Sequence, residues 1–166
     1  MNYTLSSEIT TTPRPNDTIA VYKGALLYAL DITNTNTSTL PKFYYDPSTF
    51  YPDDYAPPQV RDYQYTNTSA WNIAIDPTTL VWHAPNLTDD IDLVNPIFGP
   101  EGNWGYITAQ GCEINWPLYL GVIPGYPPVG DAKYCISEVM EVRLVPFAST
   151  MTHMAELPTI TLEGDN

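Results

Sequence analysis

Glu113 stands beside Cys112 in the stretch ITAQGCEINWPLYLGVIPGYPP, shortly before Trp116, Tyr119 and Tyr126. A carboxylate next to flat aromatic faces is what glycosidic-bond cleavage uses. The common routes need a second carboxyl group at one of two separations across the bond. Glu101, Asp131 and Glu138 are available, but the sequence singles out none of them. The simpler reading makes Glu113 an ordinary strand residue beside a disulfide, with Ile114, Trp116 and Leu118 in a core or an interface. No residue is assigned a catalytic role.

The other reactive types are as sparse. Trp82, Trp104 and Trp116 could offer sugar-stacking faces, because an indole suits the C–H side of a sugar ring and adds a polar handle. Trp104 is the best placed, in the turn-like EGNWGY. Asp89, Asp90 and Asp92 in TDDID bring hard oxygen ligands together, without the loop signature of a calcium site. A solvated acidic loop is the better reading. His153 lies between methionines with no Ser or Cys nucleophile arrangement, the pattern of a packed histidine.

Cys112 and Cys135 are the only cysteines. They form no CxxC, and His83 and His153 sit at no ligand spacing, so no metal or other cofactor is expected in this chain. One disulfide is expected instead. Closing a loop of that length is worth about 3 kcal/mol in the chain-entropy model.

These residues need a scaffold, and the totals describe one. The chain has 166 residues, the length of a single domain. Hydrophobic content of 43% is globular in character. Seventeen prolines argue against long helices, because proline breaks a helix interior. The formal charge is −13, and the six basic residues are scattered. Nucleic acid and anionic membrane surfaces both need clustered Lys and Arg, so both are excluded as partners. No apolar run reaches the length of a membrane span.

The opening MNYTLSSEITTTPRPND has neither a basic n-region nor an apolar h-region. Yet sequons stand at Asn2, Asn16, Asn36, Asn67 and Asn86. With two cysteines and few lysines, they point to a secreted, extracellular glycoprotein. Its signal peptide would then lie upstream, which makes this chain the C-terminal part of something longer.

The patterns are those of strands. TIAVY (Thr18 to Tyr22) alternates, Lys23-Gly24 breaks it, and ALLYALDI (Ala25 to Ile32) reads as a buried strand. Residues 33–59 carry five prolines and no period, and read as a long Pro/Tyr-rich surface loop. AWNIAI (Ala70 to Ile75) alternates with Trp71, Ile73 and Ile75 on one face. Asp76-Pro77 turns the chain, and TTLVWH returns, which predicts a hairpin. YITAQGC (Tyr106 to Cys112) is the next strand. In ISEVMEVRLVPF (Ile136 to Phe147), Met140, Val142 and Leu144 fall on one apolar face, with Glu141 and Arg143 opposite. The sum predicts an all-β, antiparallel, jelly-roll-like β-sandwich with little or no helix, as one domain over residues 1–166.

Several stretches resemble a known family. NDTIAVYKGALLYALDI (Asn16 to Ile32) is similar to the segment of the beta-L-arabinofuranosidase family (glycoside hydrolase family 127) where a strand ends at a glycine, here Gly24, and runs on to a tyrosine, here Tyr28. Ala25 stands where the family usually has proline. VRLVPFASTMTHMAELP (Val142 to Pro158) resembles its C-terminal strand, and NTSAWNIAID and GCEINWPLY resemble fungal members. The resemblance covers most of the chain through strand-packing patterns. It implies a noncatalytic accessory sandwich that follows a catalytic (α/α)6 barrel and packs on it. In the family, that barrel holds a zinc-bound cysteine nucleophile and a glutamate acid/base. Neither the barrel nor the paired zinc cysteines are present here, so no catalytic role passes to Cys112 or Cys135. A free-standing carbohydrate-binding module is the alternative. The scaffolding residues would be Gly24, the two cysteines, and Met140, Val142 and Leu144.

Overall fold

The computed structural model describes residues 8–39, 63–85, 105–121, 123–150 and 152–162. The chain divides into two compact units, residues 1–32 with 70–166, and residues 33–69. In both, the described residues build antiparallel β-structure with only three-residue 3-10 turns besides, an all-β, sandwich-like fold.

The larger unit begins with β1 (Ile9–Arg14), β2 (Thr18–Lys23) and β3 (Leu26–Asp31), paired as a meander. Gly24 turns the second hairpin at φ +60°, a conformation costly for residues with a Cβ. Asn16 (φ +59°) and Asp17 (φ +51°) turn the first, and they are the side chains that best tolerate this region. β1 escapes the sequence pattern because it is an exposed edge strand, rich in threonine and carrying a proline. β2 and β3 bury the runs that predict them.

β6 (Ile73–Ile75), β7 (Val81–His83), β8 (Tyr106–Glu113) and β11 (Met140–Pro146) extend the sheet, in the order β1-β2-β3-β11-β8-β6. The expected hairpin of residues 70–83 is absent. β6 and β7 do not pair with each other; both lie antiparallel to β8, β6 from Glu113 to Gly111 and β7 from Thr108 to Tyr106. They form one strand interrupted by a 3-10 turn at Pro77–Thr79. Asp76 caps that turn and donates its N–H to Gln110 O at 2.8 Å, while the Gln110 N–H reaches Thr79 Oγ1 at 2.8 Å. The threonine hydroxyl thus replaces the ladder acceptor that the excursion removes.

The C-terminal segment closes the sheet. β2 and β3 pair only from Val21 to Lys23 and then part. β12 (His153–Met154) pairs with the freed edge of β3, and β13 (Leu157–Pro158) with the freed edge of β2. Thr159 then bridges to Ile75, and the Ile160 N–H donates to Ile75 O at 2.9 Å. The sheet therefore curls until β2 and β6 are joined through this segment. Its inner face holds one core, with Val21, Tyr28, Ile75, Ile107, Leu144 and Leu157 all under 2% exposed. Burial raises the Tyr28 phenol above its ordinary pKa. At Gly111 a Cβ would come within 2.5 Å of Ala74 O, so β6 approaches β8 only over a glycine.

Two further expectations change. The last long strand starts at Met140, later than Ile136, and Met140, on the same face as Val142 and Leu144, is left uncovered. Val142 and Leu144 supply the apolar face, whereas Met140 is exposed because it sits at the strand's start, opposite Gly111. In the smaller unit, the first part of the predicted 33–59 loop is a strand. β4 (Asn34–Thr39) pairs antiparallel with β5 (Tyr63–Asn67). Its threonines favour the extended backbone where hydrophobic alternation gives no signal. The Thr33 and Thr68 hydroxyls meet at 2.8 Å at the open end of this pair.

Leu144→Ala is expected to cost about 2–5 kcal/mol in urea unfolding. Met140→Ala is expected to stay within about 0.5 kcal/mol, as at other surface positions. Equal losses at the two sites would contradict the buried and exposed assignment.

Candidate functional site

Alternation along β8 sends Ile107 and Ala109 into the main core and Cys112 to the opposite face. There a second, smaller core forms. Ala74, Cys112, Ile114 and Trp116 are all buried, with Trp71, Cys135 and Ile160 packed against them. The Trp71 and Trp116 rings lie 5.1 Å apart. Trp71 therefore does not share the face of Ile73 and Ile75.

The Cys112–Cys135 disulfide forms as the sequence predicts. Backbone bonds reinforce it. Ile114 bridges to Cys135, the Ile136 N–H donates to Glu113 O at 2.8 Å, and the Glu113 N–H donates to Ser137 Oγ at 2.9 Å. On the other side, the Ile114 N–H donates to Asn72 O, and the Asn72 side-chain amide returns a bond to Ile114 O, both at 2.8 Å. Trp116 Nε1 donates to Gly125 O at 2.9 Å, pinning the base of the loop.

Above that base the loop is apolar and outward. β9 (Leu118–Tyr119) and β10 (Ile123–Pro124) form a short hairpin. Leu120 stands at its tip with φ +52°, an uncommon conformation for leucine. Leu118, Tyr119, Leu120, Ile123, Tyr126, Val129 and Tyr134 are all exposed, Leu120 by 80% and Tyr126 by 89%. This apolar projection, tethered at its base to a disulfide whose Cys112 is fully buried, is the most distinctive surface among the described residues.

The sequence-predicted site residues fall in different places. Trp116 is 6% exposed and belongs to the second core. Trp82 is half-buried, edge-on to Tyr28 at 5.8 Å, with the Lys23 ammonium 5.1 Å from its ring centre. Trp104, Glu101, Asp89, Asp90 and Asp92 lie outside the described residues, as do Asn2 and Asn86. Asn16 is exposed in the β1–β2 turn, Asn67 is exposed at the end of β5, and Asn36 lies within β4. The structure places Glu113 in the strand beside the disulfide; Asp131 and Glu138 are exposed. His153 packs edge-on against Phe147, and His83 stacks flat on Tyr106 at 4.5 Å, with Nε2 2.8 Å from Thr108 Oγ1. Arg143 lies over the same tyrosine at 4.2 Å. Among the described residues, no three His, Cys, Asp or Glu side chains group as metal ligands. Nor is any described helix long and apolar enough to cross a membrane.

Asp76 is a structural centre that sequence reasoning treats only as a turn. It is 5% exposed. Burial pushes its carboxyl pKa up, but bonds from the Thr78 hydroxyl (2.6 Å), the Thr78 N–H (2.9 Å) and the Leu162 N–H (3.2 Å) outweigh that and hold it below the ordinary value. The signal was present in Asp-Pro-Thr, a capping acid followed by proline at the first helical position.

Comparison with protein-family models, curated proteins and solved structures finds no match.

Reducing the disulfide is expected to cost about 3 kcal/mol in a urea melt, from loop closure over a sequence separation of 23. An unchanged midpoint would mean that the second core holds the loop unaided. Asp76→Ala is expected to cost about 1–2 kcal/mol at neutral pH. Because the folded pKa is lowered, the native carboxylate stabilises above its unfolded pKa, and that advantage is lost as pH falls through the folded one. The two proteins should therefore converge in acid; a gap independent of pH would contradict this role.

Proposed function

We propose that this chain is a noncatalytic accessory β-sandwich of a secreted fungal glycoside hydrolase of the beta-L-arabinofuranosidase kind. It packs on a helical catalytic barrel of the same polypeptide and steadies that barrel during degradation of plant polysaccharide or glycan. The observation that carries this reading is the set of exposed apolar side chains Leu118, Tyr119, Leu120, Ile123, Tyr126, Val129 and Tyr134. Monomeric domains rarely leave contiguous apolar patches larger than a few hundred Å² open to water, and such patches mark contact surfaces. Here the patch is held on a rigid base, so docking it costs little ordering entropy. Secretion accords with the disulfide, which persists in oxidising compartments.

A free-standing carbohydrate-binding module is the second reading. It is favoured by Tyr119, Tyr126 and Tyr134, each more than half exposed on the same loop. Tyrosine rings present a flat apolar face with a polar tip.

The discriminating experiment expresses the chain alone in a secretory host and measures hydrophobic-dye binding and sedimentation. Docking predicts strong dye binding or self-association with the disulfide intact, both reduced in the Leu120→Ser/Tyr126→Ser double variant with little change in melting temperature. A dye-silent monomer that binds glycans on an array would replace docking with the module reading.

A further inference from the structure

On another part of the larger unit, the β1–β2 turn, the Asp76 turn, the end of the disulfide loop and the C-terminal segment border an open cleft of about 620 Å³. That volume falls within the range of small-ligand sites. None of the residues at the apolar loop tip lines it. Lys133 does, with its side chain only 10% exposed. Its ammonium lies 3.9 Å from Asp17 Oδ2, too far for a hydrogen bond, and no other side-chain partner meets it among the described residues. Lys133 Nζ is not among the buried, unpartnered polar atoms, so water reaches it; the gap between it and the mostly exposed Asp17 carboxylate is a hydrated place where a ligand hydroxyl replaces water.

The chemistry of that group follows from what surrounds it. A hydroxyl can accept from the ammonium and donate to the carboxylate at once. Thr78, Thr159 and Thr161 add hydroxyls, and Arg14 adds donors at the rim. Thr78 Oγ1 already donates to Asp76, and Thr159 Oγ1 to Asp17 O, which leaves each free to accept. Pro77 and Ile160 supply apolar wall. An anion would meet Asp17, Asp76 and a chain of formal charge −13. A cation would meet Lys133 and Arg14. We propose that this cleft binds an uncharged sugar of one or two residues, with adjacent hydroxyls bridging Lys133 and Asp17.

Lys133 is positioned by the covalent framework. Its N–H donates to Gly130 O at 3.0 Å, closing the 3-10 turn Gly130–Ala132, and Cys135 follows shortly in the disulfide. The site stands apart from the docking reading, and either can fail alone.

The test is an amide NMR titration of the intact, oxidised chain with xylose, galactose and their neutral disaccharides, with galacturonate and glucosamine as charged controls. Saturable shifts at Thr78, Lys133, Thr159 and Thr161, with Kd on the order of 1–10 mM, are expected for the neutral sugars. Lys133→Met should abolish them, and Asp17→Asn, which keeps the turn conformation, should weaken binding about tenfold. Reductant should weaken it too, by releasing Lys133. The proposal is overturned by tighter binding of galacturonate or glucosamine, by shifts confined to Tyr119 and Tyr126, by binding that survives Lys133→Met in a folded protein, or by no saturable shift.

Discussion

The second core depends on one contact: Cys112, on the outer face of β8, bonded to Cys135. Alternation requires the residue after Gly111 to point away from the main core. Left bare, that face of β6 and β8 would expose Ala74, Ile114 and Trp116. The disulfide brings the end of a long loop back over them, and the layer becomes dry enough to bury Cys112 completely. What remains of the loop must then face outward, because the base is full. The apolar projection and the placement of Lys133 are two results of the same closure.

The inner core depends on a different device. β2 and β3 part beyond Val21 and Tyr28, and two splayed strands leave unpaired backbone on facing edges. The C-terminal segment satisfies both in turn, β12 on β3 and β13 on β2, before it reaches Ile75. Leu157 enters the core at that crossing, fully buried. Closure also removes a sheet edge, which in an open sheet invites pairing with other chains. β1 remains as the outer edge, and its Pro13 removes a backbone donor there.

Much of this was legible from residue types. Burial of an uninterrupted apolar run foretold β3, Gly24 foretold the turn before it, and two cysteines foretold the disulfide. The limits were equally physical. Asp76-Pro77 looks the same whether it reverses a chain or bulges it, because the local conformation is shared and only the Gln110 pairing tells them apart. β1 and β4 lack apolar alternation, so nothing marks β1 as a strand and the threonines of β4 read as loop. Met140 matches the period of Val142 and Leu144 but lies where the strand starts, and period alone does not reveal where a sheet's cover ends. Trp116 reads as core or, less simply, as a sugar platform, because sequence gives side-chain chemistry without exposure; the structure puts it in the second core. Tyr126 shows the converse: it is exposed by 89%, which its position among prolines did not require.

The account stands on an outer layer that buries its base and presents its tip, with the disulfide holding the two apart. Hydroxyl-radical footprinting of the chain, oxidised and reduced, measures this residue by residue. The account predicts heavy labelling of Leu120, Tyr119 and Tyr126 with Trp116 protected in the oxidised protein, and labelling of Trp116 once the disulfide is reduced. Protection of the loop tyrosines in the oxidised monomer, or labelling of Trp116 there, would contradict it.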